Sequence, residues 1–323
     1  MSALIISNQQ DITTDYVVRG MQRQGVPFYR LNTEQIGVSV HIHFDFSTQT
    51  FHLTDQYTGQ NVDLLRITSV YLRRPEIRTD FPDVTAGEAN FLRSEFAALL
   101  EGLYAILDGA FWFNRVAEIR QAENKMLQLL VAARIGFSIP GSLITDIPSS
   151  AEQFYHKQVE KCIAKPIRAG LVAAGDDERI IFTNKVALDE RNLDRIGAFP
   201  IYLQRLVEKK YDLRITVVGN EIFAAKIHSQ SNDDSRIDWR NTAEILEHTR
   251  YDLPSDVAAK CVALTKALGL NFGAIDMVVD EDGEYLFLEI NPNGQWAWIE
   301  SRLSYPISES IVKLIREKTI KSC

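Results

Sequence analysis

The stretch Asn271–Gly294 reads "NFGAIDMVVDEDGEYLFLEINPNG". Two apolar runs flank an "EDGE" turn, the pattern of a β-hairpin. Pairing around that turn sets Asp280 against Tyr285, Val278 against Phe287 and Asp276 against Glu289. Side chains alternate faces along a strand, so Asp276, Glu289 and Asn291 share one face. Like charges directly opposed on a sheet destabilise it, and apolar surroundings raise the cost. Two outcomes fit. The carboxylates cap strand ends and face water, or they share a divalent cation. Two carboxylates and an amide oxygen make a hard, oxygen-rich Mg²⁺ set of the kind that shares its metal with nucleotide phosphates. On this reading, neutralising one carboxylate is expected to relieve repulsion and stabilise the metal-free chain.

If phosphates lie there, cations should face them. Lys165 sits in the apolar run "CIAKPI", where lysine needs a partner, either a phosphate or a nearby glutamate. Lys125, in "AENKMLQLL", suits the same role or a solvated helix face. In "IYLQRLVEKKYDLRITVVG" (201–219) an apolar strand is interrupted at "EKKYD", and an interrupted strand leaves backbone groups that an adenine edge can use. Asp212 and Arg214 share a face. Asp212 could accept from ribose hydroxyls and Arg214 could hold an anionic oxygen, or the two form a surface pair of little energetic weight. "RAGLVAAG" (168–175) reads as a flap over phosphates or as a plain hairpin turn. Neither G-x-x-x-x-G-K-[ST] nor a G-x-G-x-x-G in a βαβ setting occurs.

The rest of the chain bounds these readings. It has 323 residues, 46% hydrophobic and 24% charged, enough for two or three linked lobes of a globular protein. A net charge of −8 argues against a general nucleic-acid binder. Positive charge is instead gathered locally, in "LRRPEIR" (72–78) and "VEKKYDLR" (207–214). No apolar run is long enough to cross a bilayer, and "MSALIISNQQ" reads as a first strand rather than a signal segment. Three scattered cysteines form neither a disulfide framework nor a zinc pattern, so a cytoplasmic location is expected.

The N-terminal third alternates strand, helix and strand ("ALIIS", "TTDYVVRGMQRQG", "PFYRLN"), the opening of an α/β lobe. A hairpin ("VSVHIHFDF", "QTFHLTD"), a strand in "SVYLRRP" and a long helix over 87–107 are expected next. One helix is expected over 118–136 and another with a serine cap near Ser149. The expected divisions are 1–112, 113–200 and 201–323.

In order and spacing, Lys125, "AKP", "LQRLVEKKYDLRITVVG", "GAIDMVV" and "FLEINPNG" resemble the ATP-grasp superfamily over about two-thirds of the chain. "DLRITVVGNEIFAAKIHSQ", "DWR" (238–240), "YDLP" (251–254), "FLEINPNGQWAWIE" and the N-terminal "VYLRRP" resemble the microviridin-type maturases, the graspetide synthetases that macrocyclise ribosomal peptides. The resemblance implies an α/β (α+β) ATP-grasp fold with a pre-ATP-grasp lobe, a central lobe and a C-terminal lobe.

It also implies a cytoplasmic, ADP-forming ligase using ATP and Mg²⁺. Asp or Glu side chains of a precursor peptide, made of leader and core, would be activated as acyl phosphates. Ser or Thr hydroxyls would then close ω-esters, and Lys amines ω-amides. The alternative is an ATP-grasp ligase joining a free amino acid to a peptide or small carboxylate. By the match, Lys125 and Lys165 contact phosphates, and Gln204, Leu206, Val207 and Asp212 hold adenosine. Asp276, Glu289 and Asn291 bind Mg²⁺, and Arg214 steadies the transferring phosphoryl group or the substrate carboxylate, with Lys165 as its catalytic partner. Arg205 departs from the pattern, which often has an acid after the hinge glutamine. The segment Ile163–Ile196 corresponds to the leader-peptide region. Its Asp189, Glu190 and Asp194 would read a basic leader residue or form a solvated face. Neither a nucleic acid nor a membrane is an implied partner, and a homodimer is compatible with the family.

Overall fold

The computed structural model describes residues 2–168, 171–174, 177–180, 183–233, 235–242 and 245–322. They form two compact units. The first runs to Val116 and takes in Gln295–Glu300 and the segment from Pro306 on; the second is Ala117–Gly294 with Ser301–Tyr305.

The first unit opens with β1 (Ala3–Ser7), α1 (Ile12–Arg23) and β2 (Phe28–Asn32), followed by β3 (Val40–Asp45), β4 (Thr50–Asp55) and β5 (Asn61–Asp63). Then come β6 (Ser69–Leu72), α2 (Ala86–Ile106) and β7 (Phe111–Trp112). Strands β2, β1, β6 and β7 make a four-stranded parallel sheet in that order. Every residue of β1 and β6 is buried, as expected where helices cover a parallel sheet. The hairpin of β3 and β4 is present, extended by β5. Parallel sheets bind ligands beyond the carboxyl ends of their strands, at a switch of strand order. Here that position, between β1 and β6, is filled from within. Asp11 caps α1 and pairs with Arg73 at 3.0 Å, both side chains 2% exposed.

The second unit holds α3 (Val116–Ala122), α4 (Lys125–Ile135), β8 (Ser142–Thr145), α5 (Pro148–Lys157), β9 (Cys162–Lys165), β10 (Leu171–Ala174), β11 (Asp177–Ile180), β12 (Asn184–Val186) and α6 (Glu190–Ile196). It continues with β13 (Ile201–Arg205), β14 (Lys209–Val218), β15 (Glu221–Ile227), β16 (His248–Arg250), α7 (Ser255–Ala267), β17 (Phe272–Asp280) and β18 (Tyr285–Asn291). The chain ends in α8 (Ala297–Leu303) and α9 (Ile307–Ser322).

One antiparallel sheet has the order β12-β9-β13-β8 and a second β16-β15-β14-β17-β18. The helix expected over 118–136 is two helices. The Asn124 side chain accepts from the amides of Met126 and Leu127 and starts α4 anew. No serine caps α5, which begins at Pro148 behind Ile147. Leu213 and Ile215 of β14, Ile275 and Met277 of β17, and Leu264 of α7 share one core. Alternation then leaves Asp212, Arg214 and Asp276 on the opposite face.

Candidate active site

The expected pairing of Asp276 with Glu289 is present, but the expected register nearer the turn is not. Val278 pairs with Leu286 rather than Phe287, and Tyr285 with Val279 rather than Asp280, because the ladder shifts between Asp276 and Met277. The extra residue is Leu288. A bulge of this kind puts an additional side chain on one face and bends the strand. It lets Phe287 and Ile290, three residues apart, both enter the core, while Leu288 and Glu289 face a cavity.

That cavity, about 750 Å³, lies in the second unit between its four-stranded and five-stranded sheets. Its lining has six basic and five acidic residues, whereas the whole chain has 35 and 43. Lys125, Lys165, Gln204, Leu206, Val207, Asp212, Asp276, Glu289 and Asn291 all line it. Arg214 does not. It is buried on β14 beside Asp276, and its Nη1 donates to both carboxylate oxygens at 2.8 and 2.7 Å.

The opposed carboxylates are not left to repel each other. Lys125 Nζ and Arg240 Nη1 each lie 3.6 Å from a Glu289 oxygen. Burial disfavours the charged form of Glu289, but Lys125, Arg240, Lys165 and Arg214 outweigh it and hold the carboxyl below its ordinary range. Burial pushes the Asp276 carboxyl up, with Arg214 opposing and Glu289 adding to the rise. Burial also lowers the Lys165 ammonium to about 8, with Glu289 as its main counter-charge. So the glutamate expected as the structural alternative for Lys165 exists, and it belongs to the same site.

Asp212 sits within β14, and the strand interruption falls earlier than expected, at 206–208. The residue is 3% exposed, and its carboxylate is held by Lys209 Nζ at 2.8 and 2.7 Å. Lys209 also donates to the Ile237 carbonyl at 3.2 Å and so ties the loop carrying Asp238 and Arg240 to β14. Arg240 makes a fork of two 2.9 Å bonds to Asp238, which pushes its already high pKa further up. Sequence reasoning missed Arg240, Asp238 and Lys209 as site residues. The signal available was the charge density of "DWR" and "EKK", with nothing in it to show where the loop folds.

The orphaned polar atoms test whether a nucleotide fits. Gln204 Nε2 donates to Ser142 Oγ and Tyr202 Oη at 3.0 Å, while its buried Oε1 has no partner among the described residues. The Leu206 amide is spent on the Lys161 carbonyl at 2.8 Å. An unpartnered acceptor in a cavity suits an amino-bearing base. Asp212, enclosed by Lys209, fits a ribose contact less well than expected. Of the leader-region residues, Asp189 caps α6 through the Asn192 amide at 2.8 Å. The Glu190 and Asp194 side chains, and Gly170 and Gly175 of the proposed flap, lie outside the described residues; 171–174 and 177–180 form a hairpin.

Gly294 closes the "NPNG" turn. A Cβ there would lie 2.3 Å from Ala274 Cβ and 3.0 Å from Arg214 Nη2. Gly294→Ala must therefore displace the turn or β17, and a loss of roughly 1–3 kcal/mol is expected in denaturant unfolding. A change within about 0.5 kcal/mol, the range of ordinary surface substitutions, would show that the turn has room to move.

Comparison with known proteins agrees with this geometry. Residues 2–120 match the MvdD pre-ATP-grasp domain, and residues 122–315 match the RimK-like ATP-grasp domain. A RiPP-associated ATP-grasp ligase of Chryseobacterium gregarium, solved with ADP and a leader and core peptide, superposes with a TM-score of 0.88 at 28% identity. The match covers 98% of this chain and 97% of that one. The macrocyclase MdnC of Microcystis aeruginosa, bound to its precursor peptide MdnA, gives 0.85 at 28% identity over 98% and 100%. MdnB of the same organism gives 0.78 at 26% over 97% and 98%. Protein MG012 of Mycoplasma genitalium is 26% identical over 137 residues, 40% of this chain and 46% of that relative's length. No described helix is long and apolar enough to cross a membrane.

Proposed function

Because the chain belongs to the RimK-like ATP-grasp family, we propose that it closes rings between side chains of a ribosomally made precursor peptide. It is an ADP-forming ligase. One observation carries the reading: a single cavity joins the row Asp276, Glu289 and Asn291 to Lys125, Lys165 and Arg240. Solved relatives of this architecture, 28% identical, hold precursor peptides.

ATP and a peptide carboxylate are the substrates. The carboxylate takes the γ-phosphoryl group and ADP leaves. A hydroxyl or amine then attacks the acyl carbon, phosphate departs and the attacking group gives up its proton. The peptide loses one water per ring. Asp276, Glu289 and Asn291 would hold Mg²⁺, which when bound neutralises phosphate charge. Lys125 and Lys165 hold phosphate oxygens. Gln204 Oε1 and the backbone at 206–207 take the base. Arg240 is the better-placed guanidinium for the substrate carboxylate, being half exposed at the cavity, while Arg214 fixes Asp276. Positioning and charge neutralisation supply the catalysis. The partner has both leader and core, the location is cytoplasmic, and the working form is compatible with a homodimer.

Hydroxylamine intercepts acyl phosphates. With enzyme, ATP, Mg²⁺ and an Asp/Glu-rich peptide, side-chain hydroxamates are expected, with ADP released in equal amount. AMP and pyrophosphate as products would contradict the reading.

A further inference from the structure

Gln128 lies on α4, one turn after Lys125, and is 3% exposed at the inner wall of the cavity. Its Nε2 donates to the Ile290 carbonyl at 2.8 Å and to the Ala122 carbonyl at 2.6 Å, and its Oε1 accepts from the Ile290 amide at 3.0 Å. A side-chain amide thus pairs with both backbone polar groups of a single residue, as a neighbouring strand would. Ile290 stands between Glu289 and Asn291, on the edge strand of the sheet, two residues beyond the bulge at Leu288.

We infer that Gln128 is a positioning residue: it pins the bulged edge strand so that Glu289 and Asn291 are presented together to the cavity. The inference rests on the proposed metal-nucleotide reading and extends it to a residue outside the ligand set. A bulge interrupts the ladder on the β17 side; on the outer side the Phe287 amide donates to the Ser138 carbonyl at 2.9 Å, and beyond Leu288 the outer edge at Ile290 is held by Gln128. The alternation of core and cavity residues depends on its register: a slip of one residue would turn Glu289 toward the core and Ile290 toward the cavity. The clamp uses three bonds from one buried side chain, and an unmade buried bond is costly, which favours one register. The same helix sets Lys125 Nζ 3.6 Å from Glu289, so α4 fixes both the acid's backbone and its counter-charge.

The test is calorimetric binding of ADP with and without Mn²⁺, alongside thermal unfolding. Gln128→Met keeps the side-chain volume and removes all three bonds. Gln128→Glu keeps the acceptor for the Ile290 amide and loses the donor. The expected result is that Met lowers the Mn²⁺-dependent gain in ADP affinity by roughly tenfold or more, the range seen when partners of metal ligands are removed. Glu should fall between Met and wild type, and metal-free ADP affinity should stay within about twofold. A merely structural role would weaken both affinities alike, in step with the melting temperature, and that outcome overturns the inference. So does an unchanged Mn²⁺ gain in both variants. If wild type gains nothing from Mn²⁺, the metal-nucleotide reading itself falls, and this inference with it. Should the Met variant fail to fold, the Glu variant decides by the same ratio.

Discussion

Glu289→Gln is expected to lower Mg²⁺-dependent ATP turnover by a factor on the order of a thousand, equivalent to about 4 kcal/mol of lost charge stabilisation. The substitution keeps the shape of the side chain and removes one anionic ligand where phosphate charge must be balanced. Its effect on folding should run opposite to the sequence-only expectation. Two opposed carboxylates alone would gain from losing a charge. Here Lys125 and Arg240 each lie 3.6 Å from Glu289, and these cations hold its carboxyl below the ordinary glutamate range. A carboxylate with a lowered folded pKa contributes stability that is present above its unfolded pKa and lost as pH falls through the folded one. Glu289→Gln should therefore be less stable than wild type at neutral pH, with the difference vanishing in acid. Normal turnover in the variant would remove Glu289 from the site. A variant more stable at neutral pH would show that repulsion from Asp276 dominates after all.

Lys165→Met should separate binding from folding. Burial lowers this ammonium from an ordinary lysine's 10.5 to about 8. Between those values the folded chain binds fewer protons than the unfolded one, so stability rises with pH across that window. Below about 8 the charged lysine works against folding, and Met removes that cost. The metal-free variant should melt no lower than wild type at neutral pH. Its nucleotide affinity should fall roughly tenfold to a hundredfold, the worth of a charge-assisted bond. Wild-type affinity should decline as pH rises through about 8, and the variant should lack that limb. Unchanged affinity with a large drop in melting temperature would make Lys165 a structural partner of Glu289 instead.

The hairpin at 271–294 was legible because period-two alternation and a turn signal locate a strand pair without any distant information. The opposition of Asp276 and Glu289 followed from counting back from the turn, yet the count nearest the turn was off by one. A bulge conserves the outer pairing only if the inner register shifts, and no residue in "YLFLEI" marks Leu288 as the extra one. Helix α4 starts at Lys125 because Asn124 caps it, and the signal, "AENK", lay inside an apparently continuous helical pattern. What the sequence could not show was who answers each charge. Arg214 read as a holder of an anionic oxygen or a surface partner of Asp212, and it is bound to Asp276. Asp212 read as a ribose acceptor and is enclosed by Lys209. Gln128 read as one more helix residue and clamps a strand 162 residues away. Local patterns fix faces and elements, whereas ion pairing depends on which faces meet.

The central claim, ring closure within a peptide, is tested most directly by product mass. The enzyme would be incubated with ATP, Mg²⁺ and a short Thr/Ser- and Asp/Glu-rich peptide. The expected product is the peptide lighter by one water for each ring, resistant to further loss once its acceptor hydroxyls or amines are used. A product heavier by the residue mass of an added amino acid would contradict the account and identify a ligase that joins free amino acids instead.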